Sequence, residues 1–238
     1  MIGSLFRRSR KDASAEEDDS EGRAGLGSLK DAYELGNTIL DDAKFVVFDT
    51  ELTGLNVRRD SIVSLGAVKM VGGRISVGDY FYRVVEPETE LTAGSIVIHE
   101  ITPSEAASSP AIGLILPEFL DFCTDSVLVG HFVSLDLSFI NKEMKRLKGS
   151  PLLRPAVDTR KLFSWLMKKE DNSCAFDEKK MTAMDLSSLA RRYQIPFLKA
   201  HNALEDAFVT AQLFQRLLTE LPSWGIRTVA DLLTIGRP

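Results

Sequence analysis

Two acids end an apolar run. In KFVVFDTELTGL, Lys44 to Leu55, the residues Phe45 to Phe48 lead straight into Asp49, and Glu51 follows two positions later. Strand side chains alternate between faces, so Phe45, Val47, Asp49 and Glu51 share one side. Both carboxylates then project from the C-terminal end of a strand, where the functional sites of α/β sheets gather. Two close carboxylates repel each other and are costly to bury without a counter-charge. A bound cation accounts for the pair, and so does a solvated loop.

Two further acids head helices. Ser134 is a candidate N-cap for a helix over Leu135–Leu147, and Asp136 falls in its first turn. Ile140, Met144 and Leu147 follow at helical spacing, which puts Asp136 in line with the apolar stripe. An acid in the first turn also compensates the helix dipole, which explains its place in sequence but not its direction. Asn202 with Glu205 resembles a capping box at the start of a helix over Ala203–Leu218. Asp206 heads that helix's stripe of Val209, Leu213 and Leu217. His201 stands just before the cap, from where its ring can swing over a neighbouring site. A lone histidine is commonly structural, but this one stands close to an acid that already needs a reason.

Four acids on three elements can converge at one end of a sheet. Hard oxygen ligands of this kind suit Mg²⁺ or Mn²⁺ rather than zinc. A pair of such ions, roughly 3.5–4 Å apart, is a standard device for phosphodiester cleavage. Histidine as a residue type titrates near neutral pH, which suits it to take a proton from an attacking water.

With these residues in place, the sequence resembles the DEDDh 3′→5′ exonucleases, the family of the DNA polymerase III epsilon subunit, which have a ribonuclease H-like fold. FDTELTGL looks like the first motif of that family, VGHFVSLDLSFIN the second and HNALEDA the third, in the family's order and over roughly residues 44 to 220. IHEIT (Ile98 to Thr102) and PAVDT (Pro155 to Thr159) are similar to further family segments. The resemblance implies that Asp49, Glu51, Asp136 and Asp206 hold two Mg²⁺ or Mn²⁺ ions, Asp136 directly or through water. It implies that His201 is the general base, and it places Thr53, Gly54, Leu55 and His99 near the 3′-terminal nucleotide. The sequence departs from the family at Phe132, where Asn is frequent, and at Leu135, where Phe is frequent. Phe132 either stacks on a base or belongs to the core, and its apolar neighbours favour the core.

The resemblance implies cleavage at single-stranded 3′ ends with release of nucleoside monophosphates. DNA is the favoured substrate, in proofreading or repair, with a DNA polymerase as an expected partner. The alternatives are an RNA-trimming or oligoribonucleotide-degrading enzyme and a non-catalytic nucleic-acid-binding module. The 2′-hydroxyl contact that separates RNA from DNA is not legible in a sequence.

The elements that must position these residues give an α/β fold. Candidate strands run Lys44–Phe48, Ser61–Met70, Arg74–Val85, Val127–Gly130 and Ala156–Thr159. The first three are spaced as an antiparallel meander and the last two alternate with helices, so a mixed five-stranded sheet flanked by helices is expected. Further helices are read over Pro117–Phe122, Asp185–Tyr193 and Val229–Leu233. Residues 1–28 read as a charged, disordered tail, 29–43 as a leading helix, 44–220 as the exonuclease domain and 221–238 as a C-terminal extension.

The 238 residues are 44% hydrophobic with a net charge of −5, which supports a full core and argues against non-specific coating of nucleic acid. The two cysteines form no CxxC pair, which argues against a disulfide framework or a structural zinc site and fits a cytoplasmic location. No apolar run is long enough to span a bilayer.

Overall fold

The computed structural model describes residues 34–170, 184–197 and 201–238. The tail expected over 1–28 lies outside the described residues. A five-stranded sheet in the order β3-β2-β1-β4-β5 organises the molecule. Its strands are β1 (Lys44–Leu52), β2 (Ile62–Val71), β3 (Arg74–Val84), β4 (Val127–Gly130) and β5 (Ala156–Asp158). β1, β2 and β3 form the antiparallel meander, and β4 and β5 add to β1 in parallel. The expected mixed sheet is therefore the observed one.

Helices α1 (Ala93–His99), α2 (Pro103–Ala107), α3 (Ile112–Phe122) and α4 (Ser134–Lys148) precede α5 (Thr159–Glu170) in the chain. After it come α6 (Leu186–Arg192), α7 (Ala203–Glu220) and α8 (Val229–Gly236). Strand alternation sorts the sheet into two cores. Phe45 and Val47 of β1 pack with residues of α5, α6, α7 and α8. Val46 and Phe48 face the other way, onto α3 and α4. The two helical layers thus approach the central strand from opposite sides, and each brings one candidate acid with it.

Several boundaries differ from the sequence reading. β1 continues four residues past Phe48, which carries Asp49 and Glu51 inside the sheet rather than on a loop. The helix expected to begin at Pro117 begins at Ile112, with the proline inside it. The leading helix expected over 29–43 is described only from residue 34 and runs to 37, after which Ile39 bridges to Thr228. α1, α2 and α5 were not anticipated, although α1 opens on a capping box from Thr92 and Ser95, and α2 on a Thr102 cap followed by Pro103. The residues after 220 are built into the fold: Val229 and Leu232 are buried in the same core as α7.

Candidate active site

Asp49 and Glu51 share a face of β1 as alternation requires, and it is the face on which α7 packs. A register shift between Glu51 and Leu52 disturbs the pairing with β2 at this point, a distortion that commonly re-aims side chains beside functional sites. Asn202 caps α7 by accepting from the N–H groups of Leu204 and Glu205. That fixes the first turn, from which Asp206 reaches the two β1 acids. One carboxylate oxygen from each of Asp49, Glu51 and Asp206 lies within 4.8 Å of the others.

Asp136 reaches the same strand from the opposite side. Its Oδ1 accepts from the Thr50 N–H at 3.1 Å and from the Thr50 hydroxyl at 2.5 Å. Thr50 alternates with Asp49 and Glu51, so its side chain turns toward the α4 side of the sheet. The Ser134 cap expected for α4 is absent. Ser134 is the first helical residue, and the preceding Val133 makes no capping bond.

Crowding shows in the protonation equilibria. Burial, and then the charges of Asp136, Asp206 and Glu51, hold the Asp49 carboxyl well above its ordinary range. Burial and the charges of Asp206 and Asp136 push Glu51 up to about 8. Asp136 rises to about 7 through burial, although the Thr50 bonds pull it down. Burial brings Asp206 to about 6, opposed by the bond from the His201 N–H. Among the described residues no lysine or arginine is hydrogen-bonded or ion-paired to these acids, the His201 charge acts only on Asp206, and Asp206 Oδ1 is buried with no hydrogen-bond partner. An oxygen cluster whose carboxylates raise one another's pKa, with a spare buried acceptor, fits a divalent cation.

His201 is exposed, with a positive φ of 73°, and its N–H donates to Asp206 Oδ2 at 3.0 Å. The main chain is thus tied to the acid cluster. The remaining candidates divide. Leu55 is 76% exposed at the tip of the loop after β1. Thr53 is buried, and its hydroxyl accepts from the Ser61 N–H, so it braces that loop. Asp60 closes the loop by accepting from the Asn56 N–H, and its carboxylate would meet any side chain added at Gly54. His99 is buried, with Nδ1 accepting from the Ile101 N–H and Nε2 without a partner among the described residues, and burial lowers its pKa.

The expectation that Phe132 belongs to the core is incorrect. The residue is 42% exposed and adopts a left-handed φ of 56° between β4 and α4, a conformation that turns the ring out. Three residues with roles here were not singled out by the sequence reading: Thr50, Asp60 and Asp158. Asp158 is buried at the end of β5 and accepts from the N–H groups of Phe132 and Arg160. It lies in the PAVDT segment, the one signal that could have drawn attention to it. The basic residues of α4 are partly committed elsewhere: Arg146 pairs with Glu143 and Glu88, and Lys142 donates to the Asp60 carbonyl.

A 3-2-1-4-5 mixed sheet with helices on both faces, and acids gathered at the end of its central strand, is the ribonuclease H-like fold with a candidate cation site. The chain belongs to the exonuclease family (RNase_T), which it matches over residues 46–214. It is 32% identical over 200 residues to the DNA polymerase III subunit epsilon of Aquifex aeolicus, covering 82% of this chain and 90% of that protein. It is 33% identical over 191 residues to the PolC-type DNA polymerase III of Thermotoga maritima, covering 80% of this chain and 13% of that much longer protein. Among solved structures it is similar to E. coli exonuclease I in complex with single-stranded DNA. There the TM-score is 0.65 at 16% identity, covering 76% of this chain and 41% of the other. It is also similar to the nuclease domain of 3′hExo, a DEDDh family member bound to rAMP, with a TM-score of 0.62 at 16% identity over 75% and 93% of the two chains. At these identities the structural likeness concerns the fold. Among the described residues no helix is long and apolar enough to cross a membrane.

Proposed function

We propose that this protein is a metal-dependent exonuclease that degrades single strands from the 3′ end, releasing nucleoside monophosphates, with DNA as the favoured polymer. The observation that carries the reading is the convergence of one carboxylate oxygen each from Asp49, Glu51 and Asp206 within 4.8 Å. Asp49, Glu51 and Asp206 would hold Mg²⁺ or Mn²⁺ with Asp136 close by, and the bound ions would acidify the attacking water and offset charge on the leaving oxygen.

The chain's own residues supply the rest. Thr50 holds the Asp136 carboxylate in one orientation. The Asn202 cap and the His201 N–H fix Asp206. His201, exposed beside the acids, takes the proton from the attacking water as general base. Leu55 at the loop tip, with Gly54 and His99, meets the terminal nucleotide. DNA is favoured because the relatives above 30% identity carry the names of DNA polymerase III and its epsilon subunit. A replicative polymerase is the proposed partner on the same ground, and the cytoplasm the proposed location.

A degradation assay tests this. Strands of DNA and RNA labelled at either end are incubated with the protein and Mg²⁺, Mn²⁺ or EDTA. A ladder receding from the 3′ end, abolished by EDTA and faster on DNA, is the expected result. Cleavage that persists in EDTA, or a ladder receding from the 5′ end, would overturn the reading.

A further inference from the structure

We infer that Phe132, backed by Arg160, is a stacking platform for a base of the single strand entering the site, an inference that rests on the exonuclease reading. The ring is not enclosed by the core, being 42% exposed among residues that are mostly buried. The backbone does not favour it either. A left-handed φ of 56° suits Asn or Gly far better than Phe, and strained residues persist where the surroundings hold them for a purpose.

The surroundings do hold it. Asp158 Oδ1 accepts from the Phe132 N–H at 3.2 Å and from the Arg160 N–H at 2.9 Å, so one buried carboxylate fixes both residues. The Arg160 guanidinium lies over the Phe132 ring, 4.2 Å from its centroid. Among the described residues no carboxylate pairs with that guanidinium, which leaves its charge available to a phosphate. His131 stands edge-on to Phe132 at 5.2 Å, and its own nitrogens are engaged by the Thr159 hydroxyl and the Met184 carbonyl. The ring is therefore braced by a cation on one face and an aromatic edge.

Its location is right for a single strand. β4 runs parallel to β1 with Val129 beside Val47, so the residues following Gly130 emerge at the same sheet end as Asp49 and Glu51. Asp136 lies four residues on, and the charge of Asp158 reaches it. A flat, exposed ring beside a guanidinium that no described carboxylate pairs, next to a phosphodiester-cleaving centre, matches how sequence-tolerant proteins hold single strands, by stacking and phosphate contact.

The test uses strands carrying a single 2-aminopurine at successive positions from the 3′ end, with the full-length protein in EDTA. Wild-type protein should quench the probe at one position, and Phe132→Asn should abolish that quench while Phe132→Trp retains it. Asn accommodates the left-handed backbone, so Phe132→Asn should melt no lower than wild type. Affinity for the strand should fall roughly 5- to 150-fold in Phe132→Asn, the range expected for one lost base stack. Removing the base at the quenched position should cost wild type as much as the substitution does, and the two losses should not add. Unchanged affinity in Phe132→Asn, or losses that add fully, would overturn the platform. Hydrolysis of bis(p-nitrophenyl) phosphate by the wild-type protein with Mn²⁺ reads the metal centre alone, so a failed platform is told apart from a failed exonuclease.

Discussion

Thr50 gives both its N–H and its hydroxyl to one oxygen of Asp136, at 3.1 and 2.5 Å, across 86 residues of chain. This contact joins the two faces of the sheet. Asp49 and Glu51 point toward α7, Thr50 points toward α4, and the alternation of one strand lets acids from both layers meet at its end.

Replacing Thr50 by Val should therefore act through Asp136. It removes the hydroxyl donor while keeping the β-branched shape, and a hydrogen bond to a charged group contributes about 1.5–3 kcal/mol. The expected result is a kcat reduced roughly 10- to 100-fold with little change in KM, and recovery in Thr50→Ser. Equal kcat in Thr50→Val and wild type would remove Thr50 from this role.

Asp206→Ala should abolish degradation without unfolding the protein. Deleting one of several mutually repelling carboxylates relieves the metal-free fold, so its melting temperature in EDTA should hold or rise. The rise that Mn²⁺ gives the wild type through preferential binding to the folded state should vanish. Normal rates in this variant would contradict the assignment of Asp206 as a cation ligand.

The pH dependence of the metal-free protein follows from the same acids. Folded-state values near 8 for Glu51, 7 for Asp136 and 6 for Asp206 lie above those of an unfolded chain, close to 4. The folded state therefore binds more protons than the unfolded state through this interval, and its stability falls as pH rises. Melting in EDTA should be highest near pH 5 and decline toward pH 8, and Mn²⁺ should flatten the decline. A melting temperature in EDTA that climbs between pH 5 and 8 would show that the cluster is already neutralised.

His201→Ala should cut the rate roughly 10²–10⁴-fold if the imidazole is the general base. Because the tie to Asp206 runs through the main-chain N–H, cation binding measured by the melting shift should persist. A change below about threefold would exclude the role.

The acids were legible because each breaks a local rule. Asp49 and Glu51 end a strand built for burial, and Asp136 and Asp206 sit in line with apolar helical stripes, so type and spacing alone marked them. Phe132 misled for the opposite reason. Its neighbours are apolar, and only the backbone turn between β4 and α4 exposes the ring. Thr50 and Asp158 carry no unusual pattern, since one is an ordinary strand residue and the other a single acid after a short strand. Their importance comes from partners 86 and 26 residues away in the chain. α5 was missed although Leu162, Phe163 and Leu166 repeat at helical spacing, because the strand before it ends without a loop.

Gly66 shows how closely the sheet controls the site. It is the register partner of Asp49 on β2, and a Cβ there would press into the main chain of Ala203 and Leu204 at the start of α7. The first turn of α7 thus rests directly on β2, which brings Asp206 within reach of the β1 acids. Backbone on both sides leaves no flexible side chain to move aside, so Gly66→Ala must push the helix outward. Overpacking of this kind costs about 1–3 kcal/mol, and the displaced carboxylate should weaken cation binding as well. The expected outcome is a lower melting temperature in EDTA together with a smaller Mn²⁺-induced rise than wild type. A stability loss with the full Mn²⁺ response retained would mean that Asp206 keeps its position when its helix moves, and that the close approach serves packing alone.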